Sequence, residues 1–416
     1  MKKKIVILGG GKNQMPLIHA AKKLGYYVVL CDFRNNVEGI KFSDIHYQVN
    51  TLSYKEIEEV CLIERPNGII SNSEPAMPIV AKISQRFNLV GNSEKSIYNL
   101  MCKNQFRALQ KSIGCFAPSY YEFDNLNQIW DVIGKLSYPI IIKPSQCSGS
   151  RGSKRIDEFN YVDIENVCKD CFHYSADGKI IIEDFIEMPT LTTIEGDIFI
   201  HKGKILFDGM FSTTRASWAP MVPMTYTAPL YLDNNKKEKL ISTLTKIVYK
   251  SGISHGEYNI EGYFTSTSDC FIIEINVRQG GHEIPMLIKD FTGIDYTKLL
   301  VSTCVGDDSY WNEVNNTLHP NRYIIKQTTF SQFDGIYDGL SIDQEIEDYI
   351  YRKIEFLKKG DTVERCIDGT SLVAIVDLEF KNQESERAVY NRMNELIKVK
   401  LWVSGFSRLV CAANQE

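Results

Sequence analysis

No segment of this 416-residue chain is apolar for long enough to span a bilayer. The opening MKKKIVILGGG has the lysines of a signal peptide, but its apolar run IVIL stops at glycines, far short of a signal's hydrophobic region. A basic excess is also missing. Lys and Arg total 47 against 52 Asp and Glu, and a formal charge of −5 gives no field for binding a nucleic-acid backbone. The 11 cysteines are odd in number and scattered from Cys31 to Cys411 without framework spacing, which suits a reducing cytoplasm. The close pair Cys168 and Cys171 lacks the second half of a zinc site and reads as ordinary free thiols. Repeats and low-complexity tracts are lacking too. What is present is a 44% hydrophobic content, enough for more than one core, so two to four globular units are expected.

The first of these opens with KKIVILGGGKNQMPLIHAAKKLGYYVVLCD, which reads as buried strand, glycine turn, amphipathic helix and second strand ending at Asp32. Gly9 to Gly11 and the distance to Asp32 suggest a dinucleotide fingerprint. Gln14, however, stands where the third glycine belongs, so a Rossmann-like scaffold without NAD is the better reading. NGIISNS (67–73) and a helix from Met77 to Phe87 continue it. Residues 93–112 read as helical and a domain boundary falls within 92–118. A strand, a Gly/Ser loop and a strand follow in PIIIKPSQCSGSRGSKRI, then KIIIEDFIEM. ILFDGMFSTTRASWAPMVPMTYTAPLYL reads as a long irregular loop, of the kind that often carries function. A helix at 234–252 precedes the paired strands HGEYNIEGYF and CFIIEINVR. A last unit from about residue 310 holds short strands and one polar helix, Glu384 to Val399.

Two stretches concentrate the chemistry. In FIIEINVRQGG (271–281), alternation puts Glu274, Asn276 and Arg278 on one side of a strand, with Glu261 on its neighbour. Such carboxylates and an amide oxygen would strand buried charge unless a cation lay among them, and hard oxygen donors suit Mg²⁺ with phosphates completing its shell. A solvent-facing charged strand is the plainer alternative, but the apolar run before Glu274 argues against it. In IIKPSQCSGSRG, Lys143 ends a buried strand ahead of Ser148, Gly149, Ser150 and Gly152, which offers an ammonium and flexible N–H groups to a polyphosphate. It is not a Walker A loop, and by itself would serve equally as a hairpin turn. Cys147 reads as a small loop residue. Lys103, opening a helix in LMCKNQFRALQ, gains meaning only from its place in this order.

That order, Lys103 with IGCFAP, Lys143 with SGSRG, IIEDFI, then Glu261 with EINVR, resembles the ATP-grasp superfamily over essentially the whole chain. The resemblance implies a Rossmann-like pre-ATP-grasp domain (1–92), a two-lobed α+β ATP-grasp domain (93–310, with a glycine-loop lobe at 118–187 and a catalytic lobe at 188–310) and a small C-terminal α+β unit (311–416). It implies that Lys103 and Lys143 contact the α- and β-phosphates and that the 148–152 loop closes over the triphosphate. Glu183, Asp184, Phe185 and Ile186 would form the adenine hinge. Glu261, Glu274 and Asn276 would hold one or two Mg²⁺ or Mn²⁺ ions, and Arg278 and Lys143 would stabilise charge on the transferred phosphoryl group. The family's ribose-binding glutamate is replaced here by Thr190 and Leu191, with Glu187 or Glu195 as substitutes.

RQGGHEIPMLIKDFTGIDY resembles the carboxylate-amine ligase branch, and the tail more softly resembles L-amino-acid ligases. The implied reaction is ATP-dependent activation of a carboxylate as an acyl phosphate, followed by attack of an amine. Arg215, Trp218, Arg278, Gly280, Gly281 and His282 are the candidates for substrate contact. Surface charge is an equal reading of Arg215, and a backbone-satisfied side chain an equal reading of His282. Expected partners are a small carboxylate and a small amine, with no nucleic acid and no membrane, and with a homodimer left open. Three rivals stand: an ATP-grasp carboxylase or purine-biosynthesis-like enzyme activating bicarbonate, a nucleotide-binding regulatory protein without turnover, and an NAD-dependent oxidoreductase.

Overall fold

The computed structural model of the protein describes residues 2–147, 151–190, 192–219, 222–315, 322–367, 369–403 and 406–409. The continuous apolar runs KIVIL and YVVLC suit strands covered on both faces. Lys4–Leu8 (β1), Tyr27–Cys31 (β2), Ile45–Tyr47 (β3) and Gly68–Ile70 (β4) form a parallel sheet in the order β3-β2-β1-β4. Met15–Lys23 (α1) packs on one face, burying Leu17 and Ile18 against Ile5, Ile7, Val28 and Leu30. Tyr54–Glu64 (α2) and Met77–Phe87 (α3) cover the other through Ile57, Val60 and Ile83. The glycine turn after β1 consumes the acid at the end of β2. Asp32 Oδ2 accepts the Gly10 N–H at 2.8 Å and the Arg34 guanidinium at 2.8 Å, while Oδ1 accepts Arg34 Nε at 3.0 Å. Asp32 is thus a brace of its own turn, which removes the ribose contact on which a dinucleotide reading depended.

The helical stretch 93–112 is two helices, Glu94–Met101 (α4) and Lys103–Ser112 (α5), broken where Cys102 is extended. Tyr120–Phe123 (β5), Ile140–Pro144 (β6), Lys154–Ile156 (β7) and Ile180–Asp184 (β8) form an antiparallel sheet in the order β5-β8-β6-β7. Leu126–Ile133 (α6) and Tyr161–Tyr174 (α7) back it, packing Ile129, Ile164 and Val167 on Ile140, Ile142 and Ile182.

A nine-stranded sheet forms the rest of the frame. Its strands are Thr192–His201 (β9), Lys204–Leu206 (β10), Met210–Arg215 (β11), Pro223–Ala228 (β12), His255–Phe264 (β13), Cys270–Asn276 (β14), Tyr323–Thr329 (β15), Ile350–Glu355 and Ala374–Phe380. The order is β14-β13-β9-β11-β12-β15, then Ala374–Phe380 and Ile350–Glu355, with β10 beside β9. Asn234–Ser251 (α8) buries Leu240, Leu244 and Ile247 on one face, and Ile284–Thr292 (α9) buries Leu287, Ile288 and Phe291 on the other. Tyr296–Cys304 (α10) bridges this sheet to the first, reaching β1 and α1 with Val301 and Cys304.

Three expectations are corrected here. The supposed irregular loop is mostly the antiparallel pair β11–β12, because its Thr and aromatic residues are good strand formers, and only residues 216–222 lie between the strands. The sheet does not break near residue 310. The polar helix expected over 384–399 ends early. Gln383–Val389 and Met393–Leu396 are helical with a tighter turn at Tyr390–Arg392 between them, while Ile397–Val403 is a strand whose alternating Val399 and Leu401 enter a core. Among the described residues no helix is long and apolar enough to cross a membrane.

Candidate active site

Where the β6–β8 sheet faces the end of the nine-stranded sheet, one cleft is lined by Lys103, Lys143, Asp184, Ile186, Arg215, Glu261 and Glu274, among others. Alternation along β6 sends Ile140 and Ile142 into the core and leaves Ile141 and Lys143 for the cleft. Lys143 Nζ lies 2.9 Å from Glu183 Oε2, and Arg107 Nε, from α5, lies 2.8 Å from Glu183 Oε1. Burial by itself would raise the Glu183 carboxyl, but Arg107 and then Lys143 outweigh it and hold it at about 2. Burial pushes Lys143 the other way, downwards, and the proximity of Arg107 adds to this while Glu183 opposes it. We hold the group ionised, since its contact with Glu183 is a short one between a cation and a firmly charged carboxylate. Two cations thus share one anion, and the surplus positive charge faces the cleft beside Lys103, whose Nζ donates to the Cys147 carbonyl at 3.0 Å.

Glu183 lines the same cleft. Its main chain lies between β5 and β6, and its side chain is the counter-ion of Arg107 and Lys143. Past it the chain runs along the cleft through Asp184, Phe185 and Ile186. The Asp184 N–H is bound to Ser119 O (3.0 Å), the Phe185 N–H to Pro139 O (3.0 Å), and the Ile186 carbonyl accepts the Tyr263 hydroxyl (2.5 Å). Among the described residues the Ile186 N–H has no partner, and the apolar surfaces of Ile141, Met188, Phe271 and Ile273 flank it. That is a donor beside a flat slot, as a purine ring requires. Neither substitute for the ribose acid is free: Glu187 pairs with Arg155 at 2.8 Å, and Glu195 accepts from Thr213 at 3.0 Å and pairs with Arg215. Ser148, Gly149, Ser150 and Leu191 lie outside the described residues. Gly152 is described, at φ +71°, with its carbonyl accepting the Cys171 thiol.

Across the cleft, register sets Glu274 opposite Glu261 and Glu261 opposite Glu195, a row of carboxylates over β14, β13 and β9. Arg215 is buried within this row. It bonds Glu261, pairs with Glu195 at 3.4 Å and reaches Thr193 at 2.5 Å, so it is neither a surface charge nor free to clamp a substrate carboxylate. Burial first, and the Glu274 charge as well, raise the Glu261 carboxyl against Arg215. Burial and Glu261 likewise raise Glu195. This excess of negative charge, met by one guanidinium, is the observation that fits a divalent cation. Asn276 Nδ2 is turned to Glu274 Oε1 (3.1 Å) and Asn259 Oδ1 (3.3 Å), leaving its carbonyl oxygen outward. Among the described residues no three His, Cys, Asp or Glu side chains gather as a self-contained metal cage, so phosphate oxygens would have to complete the shell.

Beyond Glu274 the Rossmann-like unit enters the site. Glu74, from the segment after β4, lies 3.7 Å from Arg278, and its Oε2 is buried with no hydrogen-bond partner. Burial raises this carboxyl, and Arg278 works against it. The Gly280 N–H is bound to Asp197 Oδ2 at 2.9 Å. The His282 ring is satisfied by Gly369 O (3.0 Å) and the Tyr226 hydroxyl (3.3 Å), as its structural reading anticipated. Gly281 has open space around it, whereas Trp218 stands apart, lining a separate cavity with Met224 and Phe330. Of the residues singled out from the sequence, Lys103, Lys143, Glu183 to Ile186, Arg215, Glu261 and Glu274 share the cleft, Asn276 and Arg278 adjoin it, and Trp218 does not.

Two residues escaped the sequence reading. Arg107 follows Lys103 by one helical turn and so had to share its face. Glu74 follows a parallel strand at its carboxyl end, where open α/β sheets place their ligands. Both signals were there to be used.

Residues 136–285 match the ATP-grasp domain family. The chain is 25% identical over 320 residues to a formate-dependent phosphoribosylglycinamide formyltransferase of Francisella tularensis, covering 73% of this chain and 77% of that one. It is 19% identical over 359 residues to the carbamoyl phosphate synthase large chain of Haemophilus ducreyi, covering 82% of this chain but only 33% of that protein's length. Its fold superposes on the L-amino acid ligase of Bacillus licheniformis with a TM-score of 0.78 at 19% identity, over 97% of this chain and 99% of the other. With lysines on one wall of the cleft and carboxylates on the other, the segment from residue 136 to 285 is an ATP-grasp domain.

Proposed function

We propose that the protein is an ATP- and Mg²⁺-dependent carboxylate-amine ligase. The observation that carries this reading is the division of charge across the cleft, with Lys103 and Lys143 facing the carboxylates of Glu261 and Glu274. A polyphosphate bridging these walls would satisfy both, directly on the lysine side and through a cation on the other. Bound metal would neutralise phosphate charge during transfer. The chain's own residues do the rest. The Ile186 N–H and its apolar surroundings orient the base, Lys143 and Lys103 hold the phosphates, and Arg278 meets the substrate carboxylate or the phosphoryl group moving to it. The carboxylate oxygen attacks the γ-phosphorus and ADP leaves. An amine then attacks the acyl carbon, and phosphate departs as the amide forms.

Glu74 narrows the substrate class. A buried, half-satisfied carboxylate 3.7 Å from a guanidinium forms a pair that a zwitterion would complement, its carboxylate on Arg278 and its ammonium on Glu74. We therefore favour an amino acid as the activated substrate or the acceptor. The fold shared with an L-amino acid ligase is in keeping with this. The test is phosphate release from MgATP with single and paired amino acids, hydroxylamine present to trap acyl phosphate. Hydroxamate with one amino acid supports the reading; turnover that needs only bicarbonate would hand the site to the carboxylase reading.

A further inference from the structure

Under the turn that carries Arg278, two carboxyl groups lie together in the interior. Asp197 of β9 and Glu257 of β13 are 0% and 3% exposed. Asp197 lies opposite Asn259, and Glu257 follows two residues along on the same face. No reading of the nucleotide site uses either one.

Their hydrogen bonds lead outwards in two directions. Asp197 Oδ2 accepts the Gly280 N–H at 2.9 Å, tying down the turn after Arg278. Asp197 Oδ1 accepts Asn259 Nδ2 at 2.8 Å, which obliges Asn259 to present its own Oδ1 on the opposite side. That oxygen accepts Asn276 Nδ2 at 3.3 Å, and the same NH₂ group reaches Glu274 Oε1 at 3.1 Å. With both its protons used, Asn276 has only Oδ1 left to offer a cation. The orientation of a carboxamide at the metal position is thus fixed two residues away, by whether the group at position 197 accepts or donates.

Glu257 explains how an acid remains in place there. Its Oε2 accepts Gln279 Nε2 at 2.8 Å, and Gln279 is itself held at 2.9 Å from Thr297 Oγ1. Its Oε1 is buried without an N–H or hydroxyl donor among the described residues, while the Asp197 carboxyl is within hydrogen-bonding reach. Two carboxylates cannot face each other in the interior unless they share a proton. Burial raises both groups, and Glu257 the further. Glu257 is accordingly the protonated member, and Asp197 keeps both oxygens as acceptors.

We propose that Asp197 is a positioning residue for the metal and acceptor sites, acting through Asn259 on the Asn276 carbonyl oxygen and through the Gly280 N–H on the Arg278 turn, with Glu257 as its hydrogen-bond donor. The inference rests on the nucleotide–metal reading above. An outer partner of this kind contributes about 10- to 100-fold to metal affinity.

The test needs no substrate. ADP affinity is measured by calorimetry in EDTA, and Mn²⁺ is then titrated into the protein–ADP complex and followed by electron paramagnetic resonance. For Asp197→Asn, ADP affinity in EDTA stays within about twofold and the Mn²⁺ dissociation constant rises at least about tenfold. Glu257→Gln, which mimics the protonated acid, leaves both within about twofold. Asn259→Ala cuts the relay while keeping both acids in the chain and reproduces the Mn²⁺ loss, so the proposal stands testable even if Asp197→Asn does not fold. Unchanged Mn²⁺ affinity in Asn259→Ala overturns it, as does equal loss of ADP in EDTA, which would mean general damage. A Glu257→Gln defect as large as that of Asp197→Asn overturns the assignment of the proton. If the unmodified protein–ADP complex binds no Mn²⁺, the nucleotide–metal reading itself fails, a result distinct from all of these.

Discussion

At the scale of single residues the cleft is governed by charges that have no partner except one another. Glu183 is nearly inaccessible and stands between Arg107 and Lys143. Removing a shared counter-ion leaves buried cations uncompensated, which typically costs about 3–5 kcal/mol. Glu183→Gln should lose stability on this order in urea unfolding and should also weaken nucleotide binding; a change under about 1 kcal/mol would mean that the charges are solvated in a way the geometry does not show. Glu274 is the opposite case, a carboxylate among carboxylates. Glu274→Ala relieves repulsion, so it should keep or gain thermal stability while ATP turnover disappears. Normal turnover in that variant would remove Glu274 from the metal site.

At the scale of elements, close approach between strands sets the tolerances. Gly196 in β9 has φ +129°, and a Cβ there would lie 2.3 Å from Gly209 O, backbone that has nowhere to retreat. Gly196→Ala should cost several kcal/mol, about 3 or more by analogy with other strained and overpacked sites, and lower the melting temperature accordingly. In the helix Gln383–Val389, Glu386 is buried opposite Tyr231, and burial raises it to about 8. The folded chain holds this proton more tightly than the unfolded one, whose glutamates titrate at about 4.3. Its contribution to stability is therefore full below about pH 4.3 and declines as pH rises to about 8. Glu386→Gln should flatten that part of the stability–pH curve and be the more stable protein at pH 8; parallel curves for the two proteins would place the proton elsewhere.

Legibility followed the same scale. Strand alternation alone put Glu274, Asn276 and Arg278 on one face, and the run of motifs picked out Lys103 and Lys143, which line one cleft. What periodicity could not deliver was which side chains close on each other across the sheets. Arg215 read equally as a substrate contact and as a surface charge, and only the register of β9, β11 and β13 encloses it between Glu195 and Glu261. The side chain of Glu183 likewise had no partner in the sequence reading, and only the packing of Lys103–Ser112 on the β6–β8 sheet brings Arg107 to it. The helix expected over 384–399 ran three residues too far through a mixed period, since KVKLWV alternates as a strand does while the residues before it do not.

At the scale of the whole molecule the site is a junction. The Rossmann-like unit supplies Glu74, the β6–β8 sheet supplies Lys143, and the nine-stranded sheet supplies Glu261, Glu274 and Arg278. Glu74→Gln should leave MgATP affinity unchanged and raise KM for the amino substrate about tenfold or more, as expected when a charged hydrogen bond is lost. Equal effects on both would show that Glu74 acts only by joining the two units.

The unbroken pairing from β12 through β15 into Ala374–Phe380 and Ile350–Glu355 has a practical corollary for recombination. A chimera spliced near residue 310 would have to graft a foreign strand onto the exposed backbone of Pro223–Ala228, matching its register and twist at once. A mismatch would leave a long unpaired edge, which invites aggregation. Exchange of acceptor scope between relatives is therefore better sought through point changes around Glu74 and the Arg278 turn than through swapping the last hundred or so residues as a cassette.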